Sequence, residues 1–234
     1  MSDNNEKPVK KSKRRASEAE ALLKIDMHAS GLMSEEDQIR VAAAITQAER
    51  KTAGEIVAVV AAQSSTYLYV PFMWAALAAL LVPWPLIYFT WVTVQKIYFL
   101  QLAVFLGLLI LMLPRAVRLM LVPRSVKHSR AHARAVEQFL VQNLHTTQGR
   151  TGVLIFVSVA ERYAEILADT GIDAKVPKGT WQEIVDKLTA EIGAGRPADG
   201  FVHAILAVGK HLAKHFPPGS ADPNELPDHL IVLE

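Results

Sequence analysis

Asp169 and Asp173 sit four residues apart where a β-rich run gives way to a turn, and carboxylates so placed are ligands for a hard cation, which needs several oxygens. Calcium or magnesium is the ion such a metal site would hold, with Glu161 or Asp199 completing it if folding brought either close. Two carboxylates fall short of a coordination shell, so loop solvation and helix capping are the simpler reading of the pair. His211 and His215, one helical turn apart, have the spacing of zinc ligands. Lys210 and Lys214 flank them and no HExxH motif is present, which describes a solvated helix end. His128 and His132 repeat the spacing beside a basic stretch, where lipid phosphate is the simpler partner. "GAGRPADG" joins two helices, whereas a dinucleotide fingerprint must follow a strand, so it reads as a helix stop and cap. No Walker A sequence, GxSxG or zinc-ribbon spacing occurs, and with no cysteine in 234 residues disulfides and thiol catalysis are excluded. No cofactor is expected beyond the divalent cation.

The elements that would position these residues are readable in order. "SEEDQIRVAAAITQAERKT" opens with Ser34 followed by Asp37, a variant capping box, and spaces Ile39, Ala42 or Ala43, Ile45 and Ala48 on one helical face. "EIVAVVA" is then a strand too apolar for an edge. Its backbone groups need partners, yet no second strand precedes the long apolar stretch that follows. The partners must come from beyond that stretch. "SRAHARAVEQFLVQNLH" places Ala133, Val136, Phe139, Leu140 and Leu144 at helical spacing. "TGVLIFVSVA" reads as a central parallel strand, and "ERYAEILAD" as a half-buried strand turned back through Ala160 to Arg162. Two helices follow: "TWQEIVDKLTAEIG", with Thr180 as cap and Gly193 as stop, and "DGFVHAILAVGKHLAKHF", with Asp199 as cap and Pro217 as terminator. The proline-rich tail reads as irregular, with a short final strand allowed at "HLIVL".

Between Ile56 and Gln95 no residue carries a formal charge, and a second uncharged run reaches from Ile97 to Pro114. A bilayer core about 30 Å thick needs about 20 apolar residues in a helix. Spans are therefore predicted at Pro71–Val92 and Ile97–Leu113. "PFMWAALAALLVPWPLIYFTWV" lacks the polar stripe that a core helix of a soluble protein keeps. Tyr67, Tyr69 and Trp74 mark one interface and Tyr88, Trp91 and Tyr98 the other, which puts the turn after the prolines at Pro83 and Pro85. Arg115, Arg118, Arg124 and Lys127 follow the second span with no acidic residue until Glu137, whereas only Lys96 lies in the connecting loop. Positive charge on that side predicts cytoplasmic N- and C-termini, with those four residues contacting lipid headgroups. The N-terminal "KPVKKSKRR" belongs to a disordered basic segment without the apolar region of a signal peptide. The net charge of +2 gives no reason to expect a nucleic-acid partner.

With the apolar stretch removed, a βαβ unit remains: strand Glu55 to Ala61, crossover helix Ser129 to Leu144, strand Gly152 to Val159. Its hairpin occupies the loop between strand and helix, where insertion costs little. Here "GEIVAVV", "GRTGVLIFVSVAERYAEILADTGI", "WQEIVD" and "AGRPADGFVHAI" resemble the TPM domain family, small α/β domains named for a thylakoid-lumen phosphatase, a photosystem-II repair protein and an acetylcholine-receptor auxiliary subunit. The resemblance covers about Ser34 to Ala61 and Ser129 to Phe216, and it implies a bacterial subgroup with an inserted transmembrane hairpin. It also implies an α/β sandwich and, for some members, a divalent ion held by loop aspartates. Many relatives carry an Asp-Asn pair where this chain has Arg150 and Thr151, and a "VGYG" where it has "ADTG", keeping Gly171 alone.

The expected fold class is thus a small TPM-like α/β sandwich interrupted by a two-helix transmembrane hairpin. Its expected divisions are a basic segment (1–33), the first part of the domain (34–62), the hairpin with its basic exit (67–122), the second part (128–216) and a tail (217–234). The expected function is that of a non-enzymatic accessory or assembly factor in the bacterial inner membrane, with the lipid bilayer and other membrane proteins as partners. The alternative is a membrane-anchored, metal-dependent phosphatase centred on Asp169.

Overall fold

In the computed structural model of the chain, which describes residues 33–147, 149–218 and 226–233, β1 (Glu55–Ala61) is buried at every position. Its partner is β2 (Gly152–Ser158), parallel and in register from Glu55 beside Gly152 to Ala61 beside Ser158. Ile56–Val60 therefore lie against Val153–Val157, and the polar backbone of β1 is satisfied across the intervening chain. The antiparallel β3 (Tyr163–Ala168) borders β2. A short β4 (Leu230–Leu233) runs parallel to β1, so that the sheet order is β3-β2-β1-β4. The predicted strands and the short final one are all observed. The expected basic segment lies, Met33 apart, outside the described residues.

The described residues up to Ser64, with those from Arg130 onward, make one compact unit; Ser65–Ser129 make another. In the first, α1 (Glu35–Glu49) starts at Ser34, whose hydroxyl accepts from the Asp37 N–H at 3.1 Å. The buried face of α1 is Val41, Ala44, Ile45 and Ala48, while Ile39 is 65% exposed. The sequence pattern assigned Ile39 to the core, one residue type too literally. What α1 meets at close range is α9 (Pro197–His215), and small side chains permit that approach: a Cβ on Gly209 would fall 2.7 Å from the Ala48 Cβ.

One sheet face, with Ile56, Ala58, Val60, Val153, Ile155 and Val157, is covered by α1, α8 (Thr180–Gly193) and α9 (Pro197–His215). The other, with Val57, Val59, Leu154 and Phe156, is covered by α6 (Arg124–Val141) and by Leu144 of the 3-10 turn that follows. The predicted α6 face is also corrected. Ala131, Ala135 and Gln138 are buried, while Val136 and Leu140 are exposed. Leu144 reaches the core because Asn143 takes a left-handed conformation, φ 56°, that ends the helix. The caps differ as well. Gly179, not Thr180, precedes α8, and the chain passes through Gly193 to Ala194 before turning at Gly195, φ 79°. Helix α9 begins at Pro197, so Asp199 sits in its first turn, and it ends before Pro217.

In the second unit α2 (Tyr69–Leu81) and α3 (Pro83–Phe89) form a run of 21 residues, and α4 (Val94–Met112) one of 19, both long and apolar enough to cross a membrane. The turn between them follows the prolines, as the aromatic pattern indicated. Lys96 lies in the first turn of α4, not in the connecting loop. Ile97 is the one residue of α4 that is buried, and Phe72, Trp74, Leu80, Phe99, Leu102 and Leu106 are among the large apolar side chains left exposed. After α4 comes α5 (Arg115–Leu121), where Arg118 donates to the Thr66 carbonyl at 2.9 Å and Val122 packs with the fully buried Tyr67.

Gly209→Val tests the close approach of α1 and α9. The added methyls have no space against Ala48, and a loss of about 1–3 kcal/mol is expected, measured by thermal unfolding of the full-length protein. Ile39→Ser, on the exposed side of α1, should stay within about 0.5 kcal/mol of the parent.

Candidate functional site

Because β3 runs antiparallel to β2, its end returns to the start of β2. There the Asp169 N–H donates to the Gly152 carbonyl at 2.9 Å. Asp169 is 5% exposed and caps the four-residue α7 (Thr170–Asp173), with Oδ1 accepting from the Thr170 N–H at 2.6 Å and from the Thr170 hydroxyl at 3.1 Å. Arg150 places Nη1 3.9 Å from the same oxygen, and buried Oδ2 has no hydrogen-bond partner. Arg150 takes φ 56° directly after Gly149 at φ 79°. This turn aims its carbonyls at Gly171, where a Cβ would come within 2.6 Å of the oxygens of both Gly149 and Arg150. Only glycine fits there, which accounts physically for its retention at the end of "ADTG".

Asp173 is drawn to Asp169 through backbone alone: its N–H donates to the Asp169 carbonyl at 3.0 Å, and its side chain is exposed. Glu161 is at the opposite end of β2. Asp199 is 2.6 Å from Arg40 and 4.0 Å from Arg196, and the Arg40 hydrogen bond holds its carboxyl below the usual range. Among the described residues no group of three or more His, Cys, Asp or Glu converges as a metal centre. The residues around Asp169 do not fit a divalent ion. One inward carboxylate faces a guanidinium, where a cation requires several oxygens and no like charge nearby.

His211 lies edge-on to Trp181 with centroids 6.4 Å apart, and burial, then Lys210, push its pKa down. His132 puts Nδ1 2.9 and 3.1 Å from the two Glu165 oxygens, and Tyr163 donates to the same carboxylate at 2.9 Å. Burial, then Glu165, raise the Tyr163 pKa. His132 is thus hydrogen-bonded to β3 through Nδ1. The four basic residues assigned to headgroups fall where the chain leaves α4: Arg115 and Arg118 on α5, Arg124 and Lys127 at the start of α6.

Sequence reasoning missed the tightest polar cluster in the first unit. At the C-terminal ends of β1 and β2, Glu161, 3% exposed, accepts from the Ser64 N–H on both oxygens at 3.1 Å and from the Ser158 hydroxyl at 2.5 Å. The Ser64 and Ser158 hydroxyls are 2.8 Å apart. Ser64 is the last residue before the second unit begins. Ser64 is separated from Ser158 and Glu161 by more than ninety residues of chain, and no local spacing announces it.

Residues 115–211 match the family model described as the TPM domain. No curated protein matches the chain significantly. A solved structure is similar in fold: the NMR structure of the BA42 protein from the psychrophilic bacterium Bizionia argentinensis, at 20% identity and a TM-score of 0.54, covering 86% of this chain and 94% of that one. The family match begins after α4, so it leaves out α1 and β1, which the structure nevertheless places in the same unit and the same sheet.

Removing the Glu161 carboxylate leaves the Ser64 N–H and Ser158 hydroxyl without their charged acceptor. Hydrogen bonds to charged groups contribute about 1.5–3 kcal/mol, so Glu161→Ala should lower Tm by about 3–12 °C. Circular dichroism of the full-length protein measures it, and an unchanged Tm would show that the cluster is not holding the strand ends.

Proposed function

Starting from a chain that carries a TPM domain, we propose that it is a membrane-anchored, cytoplasm-facing member of that family acting as a non-catalytic accessory or assembly factor for a membrane complex. The observation that carries the reading is the apolar surface of α2, α3 and α4. A core helix in a soluble protein buries its large side chains, whereas these helices leave Trp74, Leu80, Phe99 and Leu106 uncovered by the chain itself. Apolar helices of this length, with Lys96 in the first turn of α4 their one charged residue, are matched to the hydrocarbon thickness of a bilayer. Arg115, Arg118, Arg124 and Lys127, concentrated after α4, favour a cytoplasmic exit and supply charge for anionic headgroups, each contributing about 1 kcal/mol near the surface.

The non-catalytic half of the reading rests on Asp169. A phosphatase built on that residue would need metal ions and a free carboxylate, and here one oxygen is engaged as a helix cap while Arg150 supplies the counter-charge. Among the described residues no nucleophile and base converge beside it.

Anchoring is checked by cell fractionation: the full-length protein should sediment with membranes and resist alkaline carbonate extraction. Recovery in the soluble fraction would end the reading. For orientation, the natural absence of cysteine allows single labels. Gln182→Cys should be shielded from an impermeant maleimide in intact cells and Trp91→Cys should react.

The catalytic alternative is decided by assay. Detergent-purified protein supplied with an aryl phosphate and magnesium or calcium should show no hydrolysis above background. Hydrolysis that Asp169→Ala abolishes would replace the accessory role with a phosphatase.

A further inference from the structure

Two carboxylic acids, Glu49 and Asp228, come together where α1 meets the C-terminal segment, a third, Glu55 on β1, acts on Glu49 through its charge, and the site around Asp169 uses none of them. Glu49, in the last turn of α1, accepts from the Ile56 N–H through Oε1 at 2.8 Å. Its other oxygen, Oε2, is buried and receives no hydrogen bond from an N–H or O–H group among the described residues. Three residues earlier on the same helix, Thr46 donates its hydroxyl to Asp228 Oδ2 at 2.7 Å. This bond fixes Asp228, two residues before β4, beside the Glu49 carboxyl. Glu55 on β1 is the third acid.

We propose that Glu49 and Asp228 share a proton, and that this acid pair is a latch holding the C-terminal strand β4 on the β1 edge, so that docking of β4 weakens as pH rises. The buried Oε2 is the reason for the proton. An ionised Glu49 would face another carboxylate with nothing donating to it, whereas a protonated Glu49 becomes the donor, and one hydrogen satisfies both groups. What the latch holds is small. β4 has four residues, pairs with β1 only from Ala58 to Ala61, and gains one further bond from the Ala62 N–H to the Leu233 carbonyl at 2.8 Å. A strand this short at a sheet edge opens at low cost, so a carboxyl pair beside its entry matters to its docking.

The groups acting on Glu49 are Asp228 from the C-terminal segment and Glu55 from β1, both acidic, together with the Ile56 N–H. His229, next to Asp228, directs Nδ1 to the Pro227 carbonyl at 3.2 Å. Burial first, then the Asp228 hydrogen bond and charge, raise the Glu49 pKa from the ordinary 4.5 to about 9, against the lowering effect of the Ile56 N–H. The sign follows. The docked state binds the proton more tightly than the released one, in which Glu49 is open to water, so docking is strongest at acid pH and is lost progressively between pH 4.5 and about 9. Within that window the opening constant rises by up to tenfold per pH unit, the limit for a single proton.

Hydrogen exchange read by mass spectrometry on the full-length protein, corrected for intrinsic exchange and referenced to β2, tests this. From pH 5.5 to 8.5, opening of 230–233 should increase at least tenfold while β2 stays constant. Glu49→Gln supplies a permanent N–H donor and Asp228→Asn removes the second charge while keeping an acceptor for Thr46. Glu49→Gln should abolish the pH dependence and keep β4 docked at pH 8.5, while Asp228→Asn, which leaves Glu49 buried, should weaken the dependence without abolishing it. Opening in the parent protein that does not change with pH overturns the proposal, as does a pH dependence that survives in Glu49→Gln or is unaltered in Asp228→Asn.

Discussion

The structure depends on one pairing, that of β1 with β2. Seven buried residues of β1 present their N–H and C=O groups along both edges, and among the described residues no strand N-terminal to the apolar stretch pairs with them. Parallel pairing with β2 meets most of that demand, β4 meets it from Ala58 to Ala61, and the Glu49 side chain receives the Ile56 N–H. Parallel neighbours cannot be joined by a tight turn, so a long crossover is obligatory in any case. Lengthening a connection that is already long adds little closure entropy, since each doubling costs only about 0.6 kcal/mol. The loop between β1 and α6 is therefore a permissive place for a hairpin of two apolar helices. A pair of spans also brings the chain back to the side it left.

The same physics decided what the sequence disclosed. β1 and β2 were legible because a buried parallel strand has to be apolar throughout, and "EIVAVVA" and "GVLIFVS" are. The helices were legible as helices, but their facing was not. In α1 and α6 the large residues suggested the core, and Ile39, Val136 and Leu140 turned out to be exposed. Helices that approach a sheet or each other closely bury their small side chains, here Ala44, Ala48, Ala131 and Ala135, and periodicity weighted by size points the wrong way. The cap of α8 failed for a related reason. Threonine is a common cap, yet Gly179 at φ 92° turns the chain one residue earlier, and only the backbone records that.

The polar sites divide along the same line. Asp169 was visible because it follows a strand and precedes a turn, a local pattern. Its true neighbours, Arg150 and Thr170, are respectively a positive-φ loop residue and the first residue of a single helical turn. The clusters Ser64–Ser158–Glu161, His132–Tyr163–Glu165 and Glu49–Asp228 join residues far apart in the chain. Each is created by strand or helix register, and register can be read only after the sheet is assembled. Glu49 shows the difficulty most sharply. In sequence it is one charge among several near a helix end, and part of its environment comes from Asp228, near the other end of the chain.

The two ends of the sheet then carry different meanings. Open α/β sheets place ligands beyond the carboxyl ends of their parallel strands. In this chain that place is occupied by Glu161 closing on Ser64 and Ser158, so the strand ends are bound to one another and the buried carboxylate spends its oxygens on the protein's own donors. At the opposite end, Asp169 is likewise committed, to Thr170 and beside Arg150. Glu161 thus spends both oxygens, and Asp169 one, on holding the chain together at its interruption and at its turn. The apolar surface of α2 to α4 is a separate demand, of the kind that a bilayer or an apolar protein partner meets and a charged substrate does not.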